Sequence, residues 1–357
     1  MQDHQPTLGH AMLYDEGLDV PVEATLRVEW ARAELDKHIP GQDRVKNTMA
    51  MAMALYRAKV RYGYAYMSPP VLCIGTTGSG KTYMAEKMGE IMKIPVKICG
   101  MSRVMNTGYK GVGLGYIVKD LWLAEHGILW LDEMDKLVAP TNAHHDGFKL
   151  AMQHELLDIL GGAEVQLAAD EAKFSFDPKR YMLCMSGAFS GLDAIIRRRL
   201  GSAATRRAVG FAATQPQIGA SDAMSEAEAL QHVEAEDLVA YGMLPELVGR
   251  IHDITVFEEV TDADYYRMFD HADGVLGKYT ALFLEHGTVL KWSEDAKRAC
   301  AQRAAARGLG YRGLLQVIHR VCKWVFFGTR GPVITVTGAM VAAAYAHSAR
   351  GTVDRTA

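Results

Sequence analysis

Short apolar runs and longer helix-period segments alternate through the first two thirds of the chain. The apolar runs Val71–Ile74, Ile128–Leu131 and Tyr181–Met185 are typical of buried strands, and each is followed directly by a polar or glycine residue. Helical periodicity begins at Leu26 and again at Lys81. Strands that alternate with helices predict a parallel α/β sheet, whose ligand site lies at the carboxyl ends of the strands.

The pattern changes near residue 262, after which the chain is almost wholly helical. Alanine-rich helices are predicted around 295–307 and 312–327, and a short strand over 333–337 precedes a last helix. Residues 1–22 show no periodicity. The chain is therefore predicted to have three parts: a flexible arm over 1–22, a large α/β domain over 23–261 and a small helical domain over 262–357.

Composition limits the class of protein. Hydrophobic residues make up 49% and charged residues 23%, as in ordinary globular proteins, and the net charge of -3 gives no argument for a polyanionic partner. The five cysteines are scattered and odd in number, which fits neither a disulfide framework nor a paired-thiolate zinc site. The first ten residues lack the features of a signal peptide, and no segment is apolar enough to span a membrane. We therefore expect a cytoplasmic protein.

A phosphate-binding motif follows the first predicted strand. The match to G-x-x-x-x-G-K-[ST] comprises Gly75, Thr76, Thr77, Gly78, Ser79, Gly80, Lys81 and Thr82. Its backbone N–H groups would cradle phosphates, Lys81 would reach the β- and γ-oxygens, and Thr82 would ligate Mg²⁺. A glycine-rich turn without a ligand is the alternative. The strand before the motif and the helix after it favour ATP with Mg²⁺.

Two adjacent carboxylates end the strand Ile128–Leu131. Asp132 would hold the Mg²⁺ shell and Glu133 would orient the water that attacks the γ-phosphorus, as in a Walker B element. A pair of acids after a strand is also common as a solvated turn. The phosphate motif about fifty residues earlier favours the catalytic interpretation.

Several short stretches occur in the order found in one family. They are residues 38–42, 75–82, 108–111, 129–136, 153–157, 186–189, 244–250 and 310–314. With them the chain resembles the ClpX family of AAA+ protein unfoldases, with the HslU family next, from about Leu26 to Ala346. The resemblance implies a large P-loop AAA+ domain with a parallel sheet, a small helical lid domain, and a hexameric ring that threads polypeptide through a central pore.

The resemblance also implies roles for residues around the nucleotide. Arg250 is similar to the arginine finger that a neighbouring subunit inserts at the γ-phosphate, and Arg312 to the sensor-2 arginine of the small domain. Ser186 occupies the sensor-1 position, where ClpX-like proteins tend to have Gly and HslU-like proteins Ser. Ile39 and Gln42 match the stretch near the adenine. Taken alone, each of these two arginines would ordinarily be interpreted as a surface residue.

Two further segments resemble parts of the family that contact other polypeptides. Tyr109, followed by Lys110, matches the aromatic pore loop that grips substrate; a core tyrosine is the alternative. Val209, Gly210 and Phe211 stand where ClpX carries the loop that docks on the ClpP peptidase, although they could form a buried turn. The basic runs 197–199 and 206–207 could instead meet an acidic partner or nucleic acid, but charge runs are usually solvated.

The sequence differs from the ClpX family at two places, and these differences limit which family properties are expected here. No cysteine precedes Cys73, so the zinc-binding domain with which ClpX begins is not expected, and 162–171 is shorter and more acidic than the basic loop of ClpX. The resulting hypothesis is a ring-forming, ATP-dependent unfoldase that acts on unfolded or tagged proteins, with a possible ClpP-like peptidase as partner. A stand-alone remodelling chaperone is the first alternative. A nucleic-acid-handling AAA+ ATPase is the second, and nucleic acid is not the expected partner.

Overall fold

The computed structural model describes residues 22–63, 68–103, 114–138, 143–169, 172–208, 224–269 and 275–346. The chain divides into two compact units. The first consists of residues 1–35, 42–76 and 81–257, and the second of 36–41, 77–80 and 258–357.

The first unit is built on a parallel five-stranded sheet in the order β2-β3-β6-β1-β7. These strands are β1 (Val71–Ile74), β2 (Val96–Gly100), β3 (Gly127–Asp132), β6 (Tyr181–Gly187) and β7 (Asp253–Val256). An antiparallel hairpin comprises β4 (Val165–Ala169) and β5 (Ala172–Phe176). The helices are α1 (Val22–Thr25), α2 (Val28–His38), α3 (Asp43–Tyr62), α4 (Lys81–Met92), α5 (Leu114–Leu123), α6 (Ala143–Leu160), α7 (Leu192–Ala208), α8 (Glu226–Leu230), α9 (Ala235–Tyr241) and α10 (Pro245–Val248).

The central strands of this sheet are buried on both faces. All residues of β1 and β6 are buried, as expected for parallel strands covered by helices. In β3 only Asp132, the last residue, is partly exposed. Since the strands are parallel, the polar residues that follow β1, β3 and β6 lie at one edge of the sheet.

The second unit contains helices around a two-stranded parallel sheet. Its elements are α11 (Asp262–Arg267), α12 (Val275–Glu285), β8 (Val289–Trp292), α13 (Glu294–Ala305), α14 (Gly310–Gly328), β9 (Val333–Val336) and α15 (Gly338–Ala346). Its core contains Ala296, Cys300 and Ala304 of α13 against Val317 and Val321 of α14. The small alanine side chains of α13 allow this close helix packing.

The α/β fold class expected from the sequence is confirmed, together with the strands at 71, 128 and 181. Four features were not predicted: β2, β7, the β4–β5 hairpin and β8. β2 and β7 are the edge strands of the sheet, and the residues of β2 are only partly buried, so their sequences lack a continuous apolar run.

Candidate functional site

The phosphate motif connects β1 to α4, as its sequence context predicts. Gly78 and Gly80 have φ angles of +88° and +102°, a conformation that residues with a Cβ rarely adopt. Lys81 is buried, and its Nζ donates to the carbonyl oxygens of Gly75 at 2.6 Å and Thr76 at 2.9 Å. Because this loop meets the amino terminus of α4, the residues present fit the phosphates of a nucleotide.

Gly78 is also constrained by packing within the second unit. A Cβ at this position would lie 2.2 Å from the Leu309 carbonyl oxygen, and the Tyr311 N–H donates to the Gly78 oxygen at 3.2 Å. The start of α14 therefore contacts the motif through backbone atoms. Arg312, the predicted sensor-2 residue, is exposed in the first turn of α14 and has no hydrogen bond or ion pair within the described part of the chain.

The predicted Walker B aspartate and sensor-1 serine contact each other directly. Ser186 is fully buried, and its Oγ donates to Asp132 Oδ1 at 2.6 Å while accepting from Trp130 Nε1 at 2.8 Å. The Glu133 N–H donates to the same Asp132 oxygen at 2.8 Å. β3 and β6 are adjacent in the sheet, which brings Ser186 beside Trp130 and Asp132. This network fixes the Asp132 carboxylate at the sheet edge.

Glu133 has a φ of +61°, which is uncommon for a residue with a side chain. Its carboxylate accepts a hydrogen bond from the Ser102 hydroxyl, which follows β2. Gly100 leaves room for this contact, because a Cβ there would lie 3.0 Å from Glu133 Oε2. The sequence does not predict a role for Ser102. Because β2 is not predicted either, no sequence signal places Ser102 beside the predicted Walker B element.

Gln153 links the segment after Glu133 to the segment before Arg250. It is buried in α6, where its Nε2 donates to the Leu137 carbonyl at 3.4 Å and its Oε1 accepts from the Leu244 N–H at 3.0 Å. Leu244 directly precedes α10, which leads to Arg250. In the sequence Gln153 belongs to a family stretch, and its pattern predicts no role for it.

Arg250, the predicted arginine finger, is exposed. Its guanidinium lies beside Gly161, where an added Cβ would be 3.1 Å from Arg250 Nη1. Within the described residues it makes no ion pair. No carboxylate within the described residues therefore neutralises this guanidinium.

Ile39 and Gln42, predicted near the adenine, are both buried at the junction between α2 and α3. Gln42 has a φ of +59° and precedes the first residue of α3. Their contact with the adenine stays a prediction.

Five predicted contact residues lie outside the described part of the chain: Tyr109, Lys110, Val209, Gly210 and Phe211. Among the basic runs, Arg199 makes a bidentate pair with Asp237, with both N–O distances 2.8 Å, and Arg197 pairs with Asp193 at 3.0 Å. The first of these pairs joins α7 to α9 and the second lies within α7, which weakens the argument that this run binds a polyanion.

The thiols near the site are not suited to nucleophilic chemistry. Burial raises the pKa of Cys73, in β1, well above its ordinary value, and it raises that of Cys99, in β2, to about 11. No group of three His, Cys, Asp or Glu side chains that could hold a metal ion occurs among the described residues.

The comparisons with known proteins agree with this geometry. The family model for the AAA domain (Cdc48 subfamily) matches residues 69–254. The chain belongs to the AAA family. It is an ATPase.

Two ClpX proteins are similar to it. The ATP-dependent Clp protease ATP-binding subunits ClpX of Borrelia duttonii (strain Ly) and Borrelia recurrentis (strain A1) are each 26% identical over 325 residues, which covers 83% of this chain and 73% of the relative. The resemblance to ClpX is thus confirmed at low identity. In the part of the chain that the structure describes, no helix is long and apolar enough to cross a membrane.

Proposed function

We propose that this AAA ATPase works as a ring of identical subunits that unfolds polypeptides and threads them through a central pore. In this ring, the site described above lies at each interface between subunits. Its ClpX relatives are named as ATP-binding subunits of an ATP-dependent protease. The family stretches are distributed between residues 38 and 314, and one of them contains Tyr109 of the predicted pore loop.

The observation that carries the proposal is the position of Arg250. An exposed guanidinium without a carboxylate partner in the described chain is suited to act on a neighbouring subunit. Gln153 connects its segment to the residues that follow Glu133. A cation supplied by a neighbour stabilises charge in the transition state and is worth about 10³–10⁵ in rate in related phosphoryl transfers.

The remaining residues have distinct tasks in hydrolysis. Lys81 would exchange its contacts with the loop carbonyls for phosphate oxygens, and Glu133 would orient the attacking water. Thr82 and Asp132 would hold Mg²⁺, which neutralises phosphate charge when it is bound. Ser186 keeps the Asp132 carboxylate in one orientation. Arg312, on the second unit, would sense the bound nucleotide.

A substitution in the pore loop tests the motor. Tyr109→Ala should abolish unfolding of a tagged fluorescent protein and leave ATP hydrolysis largely intact, because the grip and the phosphate site use different loops. Tyr62→Ala, at an exposed tyrosine that ends α3, is the matched control and should change neither activity. A Tyr109→Ala ring that unfolds the substrate at the parental rate would contradict the proposal.

The peptidase partnership is tested separately. Phe211→Ala should leave ATPase and unfolding intact and remove only degradation by an added ClpP-type peptidase, since a lost aromatic anchor costs about 2 kcal/mol or more at a hot spot. Parental peptidase binding by this variant would favour the stand-alone chaperone. Salt-dependent gel shifts with single- and double-stranded DNA test the nucleic-acid alternative.

A further inference from the structure

Three arginines surround one tyrosine in the second unit. The guanidinium carbons of Arg303, Arg307 and Arg320 lie 4.4, 5.6 and 4.2 Å from the centre of the Tyr345 ring. They come from the end of α13, the residues just after it and the middle of α14, and Tyr345 lies near the end of α15. The fold therefore concentrates three positive charges at one place.

No carboxylate balances these charges within the described residues. Arg320 Nε donates to the Ala344 carbonyl and Arg307 Nη1 to Gln316 Oε1, both at 3.2 Å, whereas Arg303 has no hydrogen bond to another residue that the structure describes. None of the three forms an ion pair there. The ring attracts cations, but that attraction offsets only part of the repulsion between like charges held this close.

The surrounding sequence has the same imbalance. Residues 296–346 contain no Asp or Glu, and their basic residues are Lys297, Arg298, Arg303, Arg307, Arg312, Arg320, Lys323 and Arg330. The chain as a whole carries a net charge of -3, so this segment departs from the average. The segment therefore produces a positive local potential, which attracts anions.

The tyrosine itself supplies a second observation. Its hydroxyl is buried and has no hydrogen-bond partner among the described residues. A buried polar group left unpaired is uncommon in native proteins, and a bound water or ion is one ordinary explanation. A hydroxyl and three guanidinium groups together offer many donors and no negative charge.

We propose that Arg303, Arg307, Arg320 and Tyr345 form a binding site for a phosphate-class oxyanion on the second unit. A single carboxylate has one charge and two oxygens, whereas a phosphate group carries close to two charges and has three or more acceptor oxygens, which matches this donor set better. Arg307 is exposed, so its side chain can move to admit the anion. The site shares no residue with the nucleotide motif, and the proposal does not rest on the proposed ring.

Calorimetric titration of sodium pyrophosphate into the full chain tests the site. Saturable binding is expected, and Lys81→Ala should retain it, which separates this site from the phosphate motif. Arg303→Gln and Arg320→Gln should each weaken binding about tenfold or more, because each removes a charged hydrogen-bond donor. Arg298→Gln is the matched control: it lies exposed on the same helix, makes no contact with Tyr345 and should change binding less than twofold.

A second measurement needs no variant and holds even if a substitution impairs folding. Pyrophosphate should protect Arg303, Arg307 and Arg320 from phenylglyoxal, as read by peptide mass spectrometry, and leave Arg298 reactive. Equal protection of Arg298, or no protection at all, would overturn the proposal. Acetate protecting as well as pyrophosphate would point to a carboxylate ligand instead, and duplex DNA protecting at much lower phosphate concentration would point to nucleic acid.

An acidic residue near the carboxyl end of the chain is the last alternative occupant of the site. Asp354 is the only Asp or Glu after Asp295. If its carboxylate occupied the site, Asp354→Asn in the full chain would increase phenylglyoxal reactivity of Arg303 before any anion is added. Unchanged reactivity is the result expected for an external anion.

Discussion

One buried hydroxyl determines how Asp132, the predicted Walker B aspartate, is held. Ser186 Oγ has a donor on one side, Trp130 Nε1, and an acceptor on the other, Asp132 Oδ1. These hydrogen bonds lie at or beside the fully buried strand β6, where leaving a polar group without its hydrogen bond is costly. The residue that could sense a phosphate thus also orients the carboxylate.

Ser186→Ala should lower both stability and turnover. The Trp130 N–H would be left buried without its acceptor, so the free energy of unfolding should fall by about 1–3 kcal/mol. The maximal ATPase rate should fall while the KM for ATP changes little, because Lys81 and the loop remain. Urea titration and steady-state ATPase assays measure the two effects. Ser190→Ala, at an exposed serine in the following loop, is the control and should alter neither.

A buried lysine makes a pH-dependent contribution to stability. Desolvation of Lys59, in α3, lowers its pKa from 10.5 to about 8. Between pH 8 and 10.5 the unfolded chain therefore binds more protons at this residue than the folded chain, and its contribution to stability rises with pH through that window.

Replacing Lys59 isolates this contribution from other titrating groups. Lys59→Met should be more stable than the parent at pH 7, where burying the charge is unfavourable. The stability difference should shrink by about 1 kcal/mol between pH 7 and pH 9, as the parental lysine loses its proton. Parallel urea titrations at both pH values measure it. A difference that is constant with pH would show that the lysine keeps its ordinary pKa.

At the scale of elements, the sequence predicts the buried strands and misses the exposed ones. β1, β3 and β6 are continuous apolar runs because both faces are covered, whereas β2 contains Lys97 and is only partly buried. The phosphate loop and Asp132–Glu133 could be predicted because their spacing is local. Contacts of Ser102 with Glu133 and of Gln153 with Leu244 join residues far apart in sequence, and only the fold brings them together.

Gln153 offers an element-scale test of coupling between α6 and the Arg250 segment. Gln153→Met keeps the volume but removes both hydrogen bonds, so the free energy of unfolding should fall by about 1–3 kcal/mol. If the bridge positions Arg250, the maximal ATPase rate should fall more than the KM for ATP changes. Gln166→Met, at an exposed position of β4, is the control. Parental turnover in a destabilised Gln153→Met protein would limit the residue to a structural role.

At the scale of the whole molecule, the residues predicted to act in catalysis are divided between exposed and buried positions. Lys81 is buried in its loop, and Asp132 and Ser186 are joined by a hydrogen bond, whereas Arg250 is exposed without a partner in the described chain. A single subunit would then hold the nucleotide without its own arginine at the γ-phosphate. This division predicts that the working unit is an interface between subunits.

Mixing two inactive variants tests this prediction. Lys81→Ala removes the phosphate contact and Arg250→Ala removes the finger, so each protein alone should hydrolyse ATP very slowly. In mixed rings an Arg250→Ala subunit keeps a functional phosphate loop and can receive Arg250 from a Lys81→Ala neighbour. At equal amounts about one interface in four would contain both intact residues, so the mixture should recover up to about a quarter of the parental rate. Mass photometry would verify that mixed rings form, and the double variant Lys81→Ala/Arg250→Ala mixed with either single variant should recover nothing. Mixed rings that stay as inactive as the separate variants would place both residues in one subunit's site.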